Sequence, residues 1–512
     1  MQSRVLGITC PLFSLRSEDD WGKGQISDLL GLGKLAKASG ARLLQILPPH
    51  ELTENESSPY GAMTAFALDP TYITLSRVPE LAANMPKDLA AEGNRLAGLA
   101  TVDYAGVLGC KKRALAVAFD TFVEEEWKKN SARAEALLRF SEREPWVFDY
   151  ALYSVLRDSH NGWGFSTWPD EERFRKEAVL AQARPLSVKN DVSRQVLARV
   201  YTQWLAFTEW QEVKKELGHH GIALMGDLPF IVGTESADVW SMPASFDATV
   251  SLGAPPDDFS ADGQDWGLPA YTAEELSHLT WLGLRSHHAS RLYDAFRIDH
   301  VVGFFRQWVK PHATKKGEFR PGDEALQAKL GAHILAGVKK SAGQARVIAE
   351  DLGVIPPFVR STLKDLDIPG YKVVPWEKDA RQVVRSPQEY PALSVATFGT
   401  HDTAPITSWW AELQPWEREQ IATHAGMRPD APEAERHVKL SRMLLASPAN
   451  VALLQIQELI GDGDRVNLPG TVGPHNWTYR IAKPVDELLQ DARIADRLQA
   501  VREASEQTGR AS

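Results

Sequence analysis

The sequence predicts an α/β fold, a (β/α)8 TIM barrel with helical and loop insertions on its C-terminal rim. Three observations predict it. Eight short apolar runs of β type recur along the chain, longer helical patterns lie between them, and four of the runs end in or lead directly to an acid. Strands that alternate with helices form parallel βα units, and eight such units close into a barrel.

The runs are Val5–Thr9, Leu43–Leu47, Ala223–Asp227, Ala295–Asp299, Val347–Glu350, Tyr371–Val374, Val395–Phe398 and Val451–Ile456. The segment Arg42-Leu43-Leu44-Gln45-Ile46-Leu47 is apolar almost throughout, as a strand covered on both faces must be. Lys111–Trp127 sets Leu115, Phe119, Phe122 and Val123 on one helical face. Tyr201–Leu217 is apolar at Trp204, Leu205, Phe207, Trp210 and Val213 and is expected to stop at Gly218, just before the third run.

Residues 1–512 are read as a single catalytic barrel domain. Far more chain separates the second and third runs than one helix needs, so 51–195 is read as a helical insertion after strand 2. A smaller insertion, 231–285, follows strand 3 and is rich in Gly, Pro and Asp. The last dozen residues are expected to fray.

The formal charge is −10 with no basic stripe, which argues against nucleic acid as a partner. No apolar run reaches membrane-spanning length, and the start of the chain does not read as a secretory signal, so a cytoplasmic location is expected. Cys10 and Cys110 do not make a disulfide framework. Gly31-Leu32-Gly33-Lys34 lacks the spacing of a phosphate loop, and no Gly-x-Ser-x-Gly occurs. These absences disfavour nucleotide, esterase and phosphorylated-substrate chemistry. The pairs His219-His220 and His287-His288 are read as solvated, and no metal site is expected.

Catalytic groups of such barrels sit at the C-terminal ends of strands. Here those ends read Gly226-Asp227, Arg297-Ile298-Asp299, Ala349-Glu350-Asp351 and Gly399-Thr400-His401-Asp402. A carboxylate at a strand end costs free energy unless it is paired or solvated, so several on one rim point to a glycosidase-like site. Arg297 and Asp299 share a strand face, and the guanidinium keeps the acid ionised, as a nucleophile must be. Taken alone, that spacing also fits a structural ion pair. Glu350 and Asp351 cannot both face the site. One is catalytic and one structural, and Glu has the longer reach.

At these strand ends, and over nearly the whole chain, the sequence resembles the 4-α-glucanotransferases of glycoside hydrolase family 77, the amylomaltases or disproportionating enzymes. The motifs occur in the family's order. The first are Ser57-Ser58-Pro59-Tyr60 with Thr64-Ala65-Phe66-Ala67, then Gly226-Asp227-Leu228-Pro229-Phe230 with Ser236-Ala237-Asp238-Val239-Trp240. Gly253-Ala254-Pro255-Pro256-Asp257 and Gly263-Gln264-Asp265-Trp266-Gly267 follow, then the three carboxylate motifs. Asn467-Leu468-Pro469-Gly470-Thr471 and Asn476-Trp477 complete the set. The chain departs from the pattern at Thr403-Ala404-Pro405, at Gly61 and at Asp258-Phe259, and not at the carboxylates.

The resemblance implies Asp299 as nucleophile, Glu350 as general acid/base and Asp402 as a third carboxylate that binds sugar hydroxyls. It implies Arg297, Asp227 and His401 as their partners and Tyr60 as a stacking platform. Asp257, Gln264, Trp266 and Asn476 become further glucan contacts. It implies an α-1,4-glucan donor, glucose or a maltooligosaccharide as acceptor, and no cofactor. The implied chemistry is a retaining double displacement, with the two carboxyls roughly 5–5.5 Å apart. An α-glucan hydrolase on the same barrel remains the nearest alternative. A silent glucan-binding protein would be expected to lack one of Asp299, Glu350 and Asp402.

Overall fold

The computed structural model describes residues 4–54, 56–256, 263–314 and 316–510. Among the described residues twelve strands form. They are β1 Val5–Thr9, β2 Leu43–Gln45, β3 Ala223–Leu228, β4 Phe246–Ala254, β5 Gln264–Tyr271 and β6 Ala295–Ile298. The rest are β7 Gln307–Pro311, β8 Glu318–Arg320, β9 Arg346–Ala349, β10 Gly370–Val373, β11 Ser394–Thr397 and β12 Val451–Gln455.

All eight predicted runs become strands of one parallel sheet, in the order β10-β11-β12-β1-β2-β3-β6-β9. Its two ends nearly meet. The Ala349 N–H donates to the Pro369 carbonyl at 2.9 Å, and the Tyr371 N–H donates to the Asp351 carboxylate at 2.7 Å. Asp351 is buried in that seam and is also paired with Arg360, so of the two adjacent acids it is the one built into the fold.

Period-2 alternation sorts the barrel's side chains. Val5, Leu43, Met225, Ala295, Ile348, Val395 and Val451 form an apolar core of their own inside it. Above that core the inward positions turn polar. The Thr9 hydroxyl donates to Gln45 at 2.9 Å, Gln45 donates to the Tyr371 hydroxyl at 3.0 Å, and the Arg297 guanidinium lies over the Tyr371 ring. The barrel therefore has an apolar floor and a polar ceiling, and the carboxylates stand on the ceiling.

Helices cover the outside in a second, larger core. The helix before β3 runs Asp191–His219, with Asn190 capping it by accepting the Ser193 N–H at 2.9 Å. It buries Trp204, Phe207, Trp210, Val213 and Leu217, and it passes the expected stop at Gly218 by one residue. Between β2 and β3 lie further helices, among them Tyr104–Phe122 and Trp146–Ser159. No helix of the described residues is long and apolar enough to cross a membrane.

Two expectations fail, and one segment holds structure the sequence did not show. The segment after β3, read as a smaller insertion, contains β4 and β5, which join β7 and β8 in a four-stranded antiparallel sheet. Gly267 and Pro269 make β5 read as a loop, and its partner strands lie outside any local window. His288 is buried, not solvated. Its Nε2 sits 2.9 Å from the Phe66 carbonyl among Phe66, Trp146 and Phe207, and burial lowers its pKa to about 3. The C-terminus does not fray through residue 510: Ala492–Gln507 is a helix, and Arg510 is fully buried.

Candidate active site

Register builds the site. In the β3–β6 ladder Asp227 pairs with Arg297, and in the β6–β9 ladder Ile298 pairs with Ala349. One residue further, Asp299 and Glu350 stand side by side on neighbouring strands, whose axes are about 4.8 Å apart. Arg297 donates from Nη1 to both oxygens of Asp227 at 2.7 Å, and its Nη2 lies 2.7 Å from Asp299 Oδ1. Burial opposes the charge on Arg297, but Asp227 and then Asp299 outweigh it, and the pKa lies well above the ordinary value. Asp227 is fully buried, while Asp299 keeps 30% of its side chain exposed. The buried acid holds the cation, and the cation presents the open acid.

Glu350 is held by backbone amides. Its Oε2 accepts the His300 N–H at 2.8 Å, and its Oε1 accepts the Leu352 N–H at 2.9 Å. His300 adopts the left-handed conformation, at φ +47°, which turns that N–H onto the carboxyl. Burial pushes the pKa of Glu350 up to about 7, and neighbouring Asp299 adds to it. Arg297 and the two amides pull the other way without winning.

Asp402 lies on the turn after β11. Asn467 donates to its Oδ1 at 2.7 Å, and His401 Nε2 is 3.3 Å from its Oδ2. Burial alone would raise its pKa. His401, Asn467 and Arg297 reverse that and hold it near about 2. Gln455, at the end of β12, donates to the Thr400 carbonyl at 2.7 Å and braces the turn. A Cβ on Gly399 would lie 2.3 Å from Thr403 Oγ1 and 2.6 Å from Gln455 Oε1, so a larger residue there would displace the side chains that brace the turn.

Tyr60 closes one side. Its hydroxyl donates to Asp227 at 2.8 Å, and its ring lies 5.1 Å from His401 and 5.9 Å from Trp477. On the other side the Trp266 indole meets the His300 ring edge-on at 5.2 Å, and its N–H donates to Gln264 at 3.0 Å. Asp227, Arg297, Asp299, Glu350, His401, Asp402, Tyr60, Trp266 and Gln264 are thus linked in one continuous set. Asn476 stands apart. Its oxygen accepts the Leu468 N–H, and its amide nitrogen donates to Thr471, so it shapes the loop from 467 to 476. Asp257 lies outside the described residues.

Sequence reasoning passed over His300, Asn467, Gln455 and Trp477. Asn467 and Trp477 sit inside motifs quoted above and His300 directly follows Asp299, but spacing does not show which atom reaches the acids. Among the described residues no cluster of three His, Cys, Asp or Glu side chains is arranged to hold a metal.

Comparison with known proteins gives a consistent result. The family model described as 4-alpha-glucanotransferase, glycoside hydrolase family 77, matches residues 10–486. A 4-alpha-glucanotransferase of Thermus thermophilus is 32% identical over 470 residues, covering 88% of this chain and 89% of its own. One of Chlamydia muridarum is 29% identical over 506 residues, covering 95% and 93%. Among solved structures, the amylomaltase from Streptococcus agalactiae in complex with acarbose superposes with a TM-score of 0.84 at 25% identity, over 99% of both chains.

Proposed function

From the premise that this chain belongs to the 4-alpha-glucanotransferase family, glycoside hydrolase family 77, we propose that it moves α-1,4-glucan segments between sugars through a covalent glycosyl-Asp299. The observation that carries the proposal is the pairing of two unlike carboxyls on adjacent strands. Asp299 is partly exposed and salt-bridged to Arg297, whereas Glu350 has no salt bridge among the described residues, is held by two backbone amides, and has its pKa raised to about 7 by desolvation. An ionised nucleophile beside a protonated acid is what a retaining glycosidase site requires, and strand spacing suits the roughly 5–5.5 Å between carboxyls.

In the first step an Asp299 oxygen attacks the anomeric carbon of the donor glucan. The bond from that carbon to the leaving O4 breaks, and Glu350 gives its proton to that oxygen. In the second step the 4-hydroxyl of an acceptor, glucose or a maltooligosaccharide, returns a proton to Glu350. Its oxygen attacks the anomeric carbon and releases Asp299. Two inversions leave the linkage α. Asp402, held ionised, accepts hydrogen bonds from sugar hydroxyls and favours the oxocarbenium-like transition state. Tyr60, Trp266 and Gln264 face the glucan, His401 and Asp227 fix the carboxylates, and Asn476 acts through the loop it ties. Asp257 joins the glucan contacts, and the enzyme works in the cytoplasm.

Maltotriose tests the reading. Incubation with the protein should give glucose together with a ladder of longer oligosaccharides. Glucose and maltose without any longer product would mean hydrolysis, and an unchanged substrate would remove the assignment altogether.

A further inference from the structure

We propose that Trp163 and Glu235 form a second binding site for an α-glucan chain, at the outer end of the rim that starts at Trp266 and remote from the cleavage point. The proposal rests on the glucan reading above and adds where long chains are gripped.

Trp163 is 68% exposed, among the most exposed large apolar side chains of the described residues. Its indole has no ring partner among the described residues, yet the turn beneath it is rigid. The Trp163 carbonyl accepts the Trp168 indole N–H at 3.0 Å, and Trp168 is buried under His160, with the two rings stacked at 5.4 Å. His160 in turn pairs with Glu172 at 2.5 Å. A fixed turn that holds a bare indole in water does nothing for folding. Packing does not explain it, whereas the flat C–H face of a glucose ring matches such a surface.

The neighbouring carboxylate is built in with it. Glu235 lies against Gly164, where a Cβ would come within 2.3 Å of its Oε2, and that oxygen accepts the Ser166 N–H at 3.1 Å. The Ser166 N–H takes up Oε2, and no ion pair to Glu235 is seen among the described residues, so Oε1 can accept hydrogen bonds from sugar hydroxyls. An aromatic face beside an uncommitted carboxylate is the composition of a carbohydrate site.

The place follows from the contacts. The Glu235 carbonyl accepts the Tyr153 hydroxyl, and next to it Thr234 donates to the Gly267 carbonyl at 2.9 Å. Gly267 adjoins Trp266, whose ring meets His300, whose N–H bonds Glu350. Trp163 is thus joined to the catalytic acid only through several bonded and packed steps. It is therefore assigned to long chains and not to a trisaccharide held at the cleavage point.

The test is Trp163→Ala, with Trp163→Phe as the variant that keeps a stacking face. For W163A, kcat/KM on maltotriose should stay within about twofold of wild type and fall about tenfold on soluble amylose, with W163F in between. No change on amylose overturns the proposal, and so does an equal fall on both substrates. A second arm does not need turnover. Native gels containing amylose should retard D299N and release D299N/W163A; equal retardation overturns the site. Should wild type build no ladder from maltotriose, the function fails, and the gels still decide the site.

Discussion

Each end of the barrel buries an arginine, and the two ends treat the charge in opposite ways. At the bottom Arg510 is fully buried and bonds the carbonyls of Val5, Leu445, Ser447 and Ala449 at 2.7–3.1 Å. No carboxylate pairs with it among the described residues, and burial lowers its pKa. At the mouth Arg297 bonds only carboxylates, one buried and one half open, and its pKa is raised. Backbone carbonyls satisfy donors and commit nothing to chemistry. Carboxylates satisfy donors and leave a reactive oxygen. The bottom is a lock that ties the chain's last turn to its first strand, and the mouth is a site.

That contrast can be broken from either end. The largest effect belongs to Asp299→Asn. Arg297 keeps Asp227, so the melting temperature should hardly move, while kcat on maltotriose should fall by about 10⁴-fold or more. A variant that kept a tenth of its activity would make Arg297–Asp299 an ordinary structural pair. Arg510→Met should do the reverse. Four carbonyls lose their donor in a buried place, at a cost of about 3 kcal/mol, read as a lower midpoint in urea. Turnover per folded molecule should stay as it was. The smallest effect is a slope. Glu350 donates a proton, and its pKa is raised from 4.5 to about 7. The competent form is therefore present below that value and is lost above it. The ratio kcat/KM should decline about tenfold per pH unit above about 7. A flat profile from pH 6 to 9 would mean that a different group protonates the leaving oxygen.

The same contrast explains what was legible in the sequence. Runs such as Val5–Thr9 and Val451–Gln455 are short, almost wholly apolar and buried throughout, so the barrel could be read from local pattern. The acids at positions 299 and 350 were legible because strand ends stop abruptly at a charge. Arg510 was not, because a lone arginine near a terminus looks solvated until four carbonyls are folded around it. The second sheet was hidden for a related reason. β4 pairs with β7, more than 50 residues on, and β5 carries Gly267 and Pro269. His300 and Asn467 act through one N–H or one amide, and residue type does not mark such a contact in advance.

The central claim is the covalent bond at position 299, and trapping it is the most direct test. Glu350→Gln with α-maltosyl fluoride serves, because fluoride departs without a strong acid while the base needed for release of the sugar is gone. The account predicts a protein heavier by one maltosyl unit, with the added mass on the peptide that carries Asp299. Fluoride release with no adduct, or an adduct on any other residue, would contradict it.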